Sequence, residues 1–182
     1  FRSDYQIPMN HGVDQCIGDT LGPGGVFRTL RTVPVMMDIA RDMQRLCPNA
    51  YILNFVNPMA TVCWSLGMVP DTKFIGLCHG VDGGHRQIAA VIELLVNKGK
   101  KRNSRGYKAV SADDVDIICA GINHQTWYIQ VLYNGEDWTG RLLEGFEKHP
   151  VFSKTEKVRI DLLRRFGYYT TESNGHVSEY VP

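Results

Sequence analysis

Three short tracts of this sequence carry residues able to hold a metal ion and a polar ligand: Asn57-Pro58, Cys78-His79 and residues 121–127, which read Gly-Ile-Asn-His-Gln-Thr-Trp. Each follows a run that reads as a buried strand. A Cys thiolate and a His imidazole can coordinate a divalent ion while leaving positions open to substrate, the arrangement of a catalytic rather than a structural site. Asparagine adds a polar anchor. In open α/β sheets ligands sit beyond the carboxyl ends of strands, and Asn57, Cys78 and His79 all take that place in the pattern. Taken singly, Cys78 reads first as a small buried hydrophobe and His124 as a satisfied histidine.

The elements that must position these tracts follow from apolar spacing. Over residues 26–46, Leu30, Val33, Met36, Met37, Ile39, Ala40, Met43 and Leu46 recur at helical intervals, which predicts an amphipathic helix. The preceding Asp19-Thr20-Leu21-Gly22-Pro23-Gly24-Gly25 suits a tight turn or an anion cradle, and Cys47-Pro48-Asn49-Ala50 is a helix stop. Tyr51-Ile52-Leu53-Asn54-Phe55-Val56 reads as a buried strand, and Pro58 as the first turn of a helix reaching Leu66. Residues 73–77 repeat the strand, residues 87–96 form a third helix, and residues 115–120 another strand. This rhythm predicts βα units and a mostly parallel sheet, hence an α/β fold. Beyond Gly121, the apolar Trp127, Ile129 and Val131 alternate with polar residues, as in an antiparallel strand of a second layer or domain. A helix over 157–166 and an irregular polar tail complete the reading.

Composition narrows the function classes. The 182 residues are 43% apolar and 21% charged, enough to bury one sizeable core. A net charge of +1 gives no general pull toward nucleic acid or an anionic membrane, and the basic run at 98–105 reads as a solvated loop. The five cysteines are odd in number and lack paired spacing, which predicts a reducing, cytoplasmic compartment. Cys16, Cys47, Cys63 and Cys119 read as packing residues; His11, His85 and His149 as surface or loop residues. No apolar stretch approaches the roughly 20 residues that span a bilayer. The first and last residues read as those of a fragment. No Gly-x-Gly-x-x-Gly fingerprint occurs.

Gly18-Asp19-Thr20-Leu21-Gly22-Pro23-Gly24-Gly25, residues 54–59, Gly76-Leu77-Cys78-His79 and Ala120-Gly121-Ile122-Asn123-His124 together resemble glycoside hydrolase family four, the NAD- and metal-dependent glycosidases. Residues 167–173 extend the likeness. The resemblance implies a central fragment. Residues 1–80 would be the second half of an NAD-binding Rossmann-like domain whose Gly-rich first βα unit is missing, and residues 81–182 the start of an α+β catalytic and oligomerisation domain. Such a fragment alone is expected to bind NAD poorly and not to turn over.

In that family, as the resemblance implies, NAD takes a hydride from C3 of the sugar, a base removes the acidified C2 proton, and the C1 leaving group is eliminated. Water then adds and the hydride returns, an exception to two-carboxylate hydrolysis. By matching motifs, Cys78 and His124 would hold a manganese ion and Asn57 the sugar hydroxyls beside the nicotinamide, with His79 and Asn123 also on substrate. Asp19 would bind substrate or act as the acid, although a helix cap explains it equally. Tyr180 would be the C2 base. Its pKa must then fall from about 10, through the metal and cationic neighbours, and simple aromatic packing is its alternative. A thiolate on hard, oxygen-seeking manganese is chemically surprising.

His79 stands where members acting on 6-phosphorylated sugars carry Asn or Asp. It favours an unphosphorylated α-glycoside, and the wording is nearest the α-galactosidases, with α-glucosidase and α-galacturonidase as alternatives. The family implies a homodimer or homotetramer. A malate- or lactate-type 2-hydroxyacid dehydrogenase is the rival enzyme class, from Arg31-Thr32-Val33-Pro34 and Asn57-Pro58. A non-catalytic sugar-binding or oligomerisation remnant is the third reading.

Overall fold

The computed structural model of the protein describes residues 2–102 and 104–181; Phe1, Pro182 and Asn103 of the basic run lie outside the described residues. The chain divides into two compact units, Phe1–Cys78 and His79–Pro182.

The first unit runs α1 (Arg2–Asn10), α2 (Gly22–Leu46), β1 (Ile52–Asn54), α3 (Met59–Leu66) and β2 (Phe74–Gly76). The two strands pair in parallel, Ile52 opposite Phe74 and Asn54 opposite Gly76. Helix α2 ends where Cys47-Pro48 predicts, and α3 begins after Pro58, whose bond to Asn57 is cis. The core joins Ala40 of α2, Ile52 of β1, and Val62 and Leu66 of α3. The two strand runs are less buried than their composition predicts: Leu53 is 63% and Ile75 48% exposed. Among the described residues the helices cover one face of the pair, so the alternate side chains remain in solvent.

The glycine turn before α2 is held from upstream by Gln15. Its amide donates to the Leu21 carbonyl (3.1 Å) and its side-chain carbonyl accepts from the Gly24 N–H (3.3 Å). Gly24 must be glycine here, because a Cβ would stand 2.3 Å from the Gly18 carbonyl oxygen.

The second unit runs α4 (Gly80–Val96), β3 (Val115–Ile122), β4 (Gln125–Tyr133), β5 (Glu136–Asp137), α5 (Leu142–Lys148), α6 (Phe152–Thr155), α7 (Lys157–Phe166), β6 (Tyr169–Thr170) and α8 (Asn174–Ser178). Its sheet is antiparallel, with β4 paired to β3, β5 and β6. The strand expected at 115–120 in a parallel sheet is therefore the first arm of a hairpin. A bulge separates Ile118 (opposite Gln130) from Cys119 (opposite Tyr128), and Ile129 is the extra residue. Trp127, Ile129 and Val131 consequently do not share a face: Tyr128 and Val131 are buried, and Ile129 is exposed.

Helix α4 starts at Gly80 rather than near Gln87, because Gly83-Gly84 hides the helical pattern. Gly84 has a packing reason, since a Cβ there would lie 2.3 Å from the Tyr128 hydroxyl, which donates to the Val81 carbonyl. The core gathers Ile88, Val91, Ile92, Tyr128, Leu142, Phe146 and Tyr169. The Phe146 ring stacks on Tyr169 at 4.0 Å between centroids. Phe146→Ala is expected to cost about 3–5 kcal/mol, because so enclosed a site cannot collapse onto the cavity. Urea unfolding of the intact protein checks this, and an unchanged midpoint would contradict it.

Several isolated residues also find their places. Cys63 and Cys119 are half-buried as packing residues, whereas Cys16 and Cys47 are exposed and pack little. His85 donates from Nε2 to the Val115 carbonyl at 2.7 Å, tying α4 to β3, and His149 stacks on Phe152 at 3.9 Å. Neither is an idle surface residue. The basic run is exposed wherever it is described. Among the described residues, no helix is long and apolar enough to cross a membrane.

Candidate active site

In the first unit, Asp19 and Asn57 come together. The Asn57 amide donates to one Asp19 oxygen at 3.4 Å, and the Thr20 hydroxyl to the other at 2.9 Å. The Arg28 Nε–H reaches the Asn57 carbonyl at 3.1 Å, so α2 fixes the residue that follows β1. Asp19 does not cap the helix: Leu21 is the cap, and it makes no side-chain bond. Both residues are half-buried, which leaves a carboxyl and an amide side by side at the end of β1. Such a pair can hold sugar hydroxyls or move a proton.

In the second unit, Asn123 and His124 are the two residues joining β3 to β4, with Ile122 paired to Gln125. His124 has φ +61°, a left-handed conformation that histidine visits more readily than most side chains. It is 7% exposed. The tract that reads from sequence as the mouth of a parallel sheet is thus the tip of an antiparallel hairpin. Its position is set by the turn, not by the carboxyl end of a βα strand.

Strand β6 brings a further acid to the same tip. Tyr169 lies opposite Tyr128 and Thr170 opposite Trp127, and the Thr171 N–H continues the ladder to the Thr126 carbonyl at 2.9 Å. The next residue, Glu172, therefore arrives beside the hairpin turn. Arg159, 3% exposed, locks β6 in place: it donates to the Thr170 carbonyl at 2.7 Å and pairs with Glu156 at 3.0 Å. Gly80, the first residue of α4, makes room, since a Cβ there would stand 2.4 Å from Glu172 Oε1.

Cys78 closes the first unit, one peptide bond from His79, which caps α4. One ligand atom each of Cys78, His124 and Glu172 lie within 4.8 Å of one another. Two donors on one ion at bonds of roughly 2.0–2.3 Å stand up to about 4.6 Å apart, so this spread is that of a single-ion site slightly open. Thiolate, imidazole and carboxylate suit a divalent transition metal. His176, one helical turn beyond Glu172, sets its ring edge on His124 at 4.6 Å and its Nδ1 3.4 Å from Glu172.

Cys78 and His79 are exposed and Asn123 is half-buried. Tyr180 is half-buried just after α8. Burial pushes its phenol up to about 12, with Glu172 and Glu179 adding to the rise. The cationic neighbours expected around a tyrosine base are, among the described residues, two carboxylates. No site role was read from the sequence for Glu172, His176 or Gly80, although residues 167–173 bring Glu172 into the family likeness and Glu172 and His176 stand four residues apart.

Residues 1–94 match the Family 4 glycosyl hydrolase profile, and residues 119–182 match the C-terminal domain of the same family. The chain belongs to glycosyl hydrolase family 4. It is 43% identical over its full length to an alpha-galactosidase of Rhizobium meliloti, covering 34% of that protein. An alpha-galactosidase of Bacillus subtilis is 36% identical over 98% of the chain, which covers 38% of it. The chain thus spans little more than a third of the length of these relatives.

Among solved structures, the 6-phospho-beta-glucosidase of Thermotoga maritima with NAD and glucose 6-phosphate superposes with TM-score 0.71 at 25% identity, covering 99% of this chain and 38% of that one. A form of that enzyme with manganese, NAD+ and glucose 6-phosphate gives TM-score 0.74 at 22% identity over the same shares. The α/β class with a Rossmann-like likeness therefore holds for this family 4 chain. Membership also displaces the hydroxyacid dehydrogenase reading.

Proposed function

We propose that the intact protein is an NAD- and metal-dependent α-glycosidase whose substrate is an unphosphorylated α-galactoside. The gathering of Cys78, His124 and Glu172 within 4.8 Å carries the proposal, because a glycosidase working through two carboxylates alone has no use for a thiolate and an imidazole there. The donor set fits a divalent ion in number and charge. The fit to NAD is partial: Asn57 follows β1, as a residue beside a nicotinamide would, while no Gly-x-Gly-x-x-Gly turn occurs in the sequence.

When bound, NAD supplies reversible oxidation at the sugar C3 and the metal supplies Lewis-acid polarisation of the C2 and C3 oxygens. The chain's own residues do the rest. Cys78 and His124 would hold the ion. Asn57 donates to and accepts from sugar hydroxyls, and it also aims Asp19, which would bind the substrate or serve as the acid toward the leaving oxygen. Tyr180 takes the C2 proton, and His79 and Asn123 border the sugar.

The 43% identity over the full chain to an α-galactosidase supports the unphosphorylated sugar, as does His79 where, by the family resemblance, phosphosugar enzymes carry Asn or Asp. α-Glucosidase and α-galacturonidase remain the neighbouring specificities. The odd number and unpaired spacing of the cysteines support a reducing, cytoplasmic compartment, and the family resemblance supports a homodimer or homotetramer. The test is hydrolysis of nitrophenyl α-glycosides by the intact protein. Turnover of the galactoside is expected only with both NAD and a divalent metal present, and with no net NADH produced. Full activity in chelator without NAD would end the proposal.

A further inference from the structure

We propose that Glu172 is a third protein ligand of the metal, completing a thiolate–imidazole–carboxylate set with Cys78 and His124; the proposal rests on the metal-dependent reading above. Proximity is the first ground, since a Glu172 oxygen lies within 4.8 Å of the other two donor atoms. The second is that the carboxylate is placed by a built support. The β4–β6 ladder delivers it to the hairpin turn, the buried Arg159 anchors the strand before it, and Gly80 leaves the space its oxygen occupies.

The third ground is charge. Glu172 is 4% exposed, and among the described residues its ion-pair partner is His176, at 3.4 Å. That histidine is a cation only when protonated, and its Nδ1 also lies 2.9 Å from the Ser173 hydroxyl. A buried carboxylate with so little fixed positive charge is costly, and a divalent ion offsets it: one thiolate and one carboxylate balance two positive charges. The fourth ground is hardness. Manganese prefers oxygen donors, so a site of thiolate and imidazole alone suits it poorly, and Glu172 supplies the missing oxygen. His176 then acts as a positioning residue, with its Nδ1 3.4 Å from a Glu172 oxygen and its ring edge on the His124 ring, the usual outer support of a metal ligand.

Equilibrium dialysis of manganese chloride against the intact protein tests this. Glu172→Gln keeps shape and burial while removing the charge, and it is expected to weaken manganese binding at least about tenfold, the scale at which even outer supports of a site are felt. In the cobalt-loaded protein the same variant should alter the d–d bands yet keep the thiolate-to-cobalt charge-transfer band. A loss below tenfold, or unchanged d–d bands, overturns the assignment. In the unaltered protein a glutamate carboxylate stretch, followed by infrared difference with labelled glutamate, should shift when manganese is added. No shift overturns it independently of how the variant folds. Cys78→Ser separates the two levels: parental manganese binding there sinks the metal reading itself, whereas parental binding in Glu172→Gln alone sinks only the third ligand.

Discussion

Cys78→Ser is expected to lower turnover of the preferred α-glycoside at least about a thousandfold in the intact protein, with manganese affinity falling alongside. The size follows from what a bound metal contributes, several kcal/mol of transition-state charge stabilisation, at about 1.4 kcal/mol for each factor of ten. Serine keeps the shape of the side chain but not the anion: its hydroxyl stays protonated at neutral pH and leaves the site one negative charge short. Exposure gives a second readout. Cys16, Cys47 and Cys78 are all exposed, so a thiol-alkylating reagent reaches each of them. Bound manganese should protect Cys78 alone, and mapping the alkylated peptides with and without metal checks it. Parental turnover in the serine variant, or equal alkylation of Cys78 in both conditions, would remove this cysteine from the site.

The parts of this molecule that were readable in sequence are those fixed by neighbours a few residues away. Helix α7 begins at Lys157 and ends at Phe166 as its apolar spacing predicts, and α2 stops at the Cys47-Pro48 break. Asn57 and Cys78 were singled out because a short apolar run followed by a polar residue marks the carboxyl end of a strand, while the roles proposed for them rest on the family resemblance. His124 was found as a residue and misplaced as geometry, since nothing local distinguishes a strand ending at a ligand loop from one turning back on itself. The bulge at Ile129 depends on how two strands register, and register is a property of the pair. Glu172 shows the limit most clearly. It follows a two-residue strand too short to carry a pattern, and it reaches the site only because Tyr169 and Thr170 pair with β4 more than 40 residues earlier.

Tyr180→Phe is expected to reduce kcat by about 10²–10⁴, the range for a positioned general base, while leaving manganese affinity within a few-fold of the parent. Burial pushes the phenol of Tyr180 up to about 12, with Glu172 and Glu179 adding to the rise, so the phenolate is scarce near neutral pH. Burial and both carboxylates disfavour that anion, and the sign is plain: the neutral form is favoured in the fold, and the stability this lends is lost as pH rises from about 10 through about 12. A divalent ion on Glu172 would cancel one of the two repelling charges and draw the phenol back toward the working range. The parent should therefore gain activity as pH rises above neutrality, and the phenylalanine variant should lack that limb. Isotope exchange isolates the step further. With NAD, metal and substrate present, the variant should still reduce part of its bound NAD in a single turnover, yet fail to exchange the substrate C2 hydrogen with deuterated water. Unimpaired exchange in the variant would assign the proton to another group and return Tyr180 to aromatic packing.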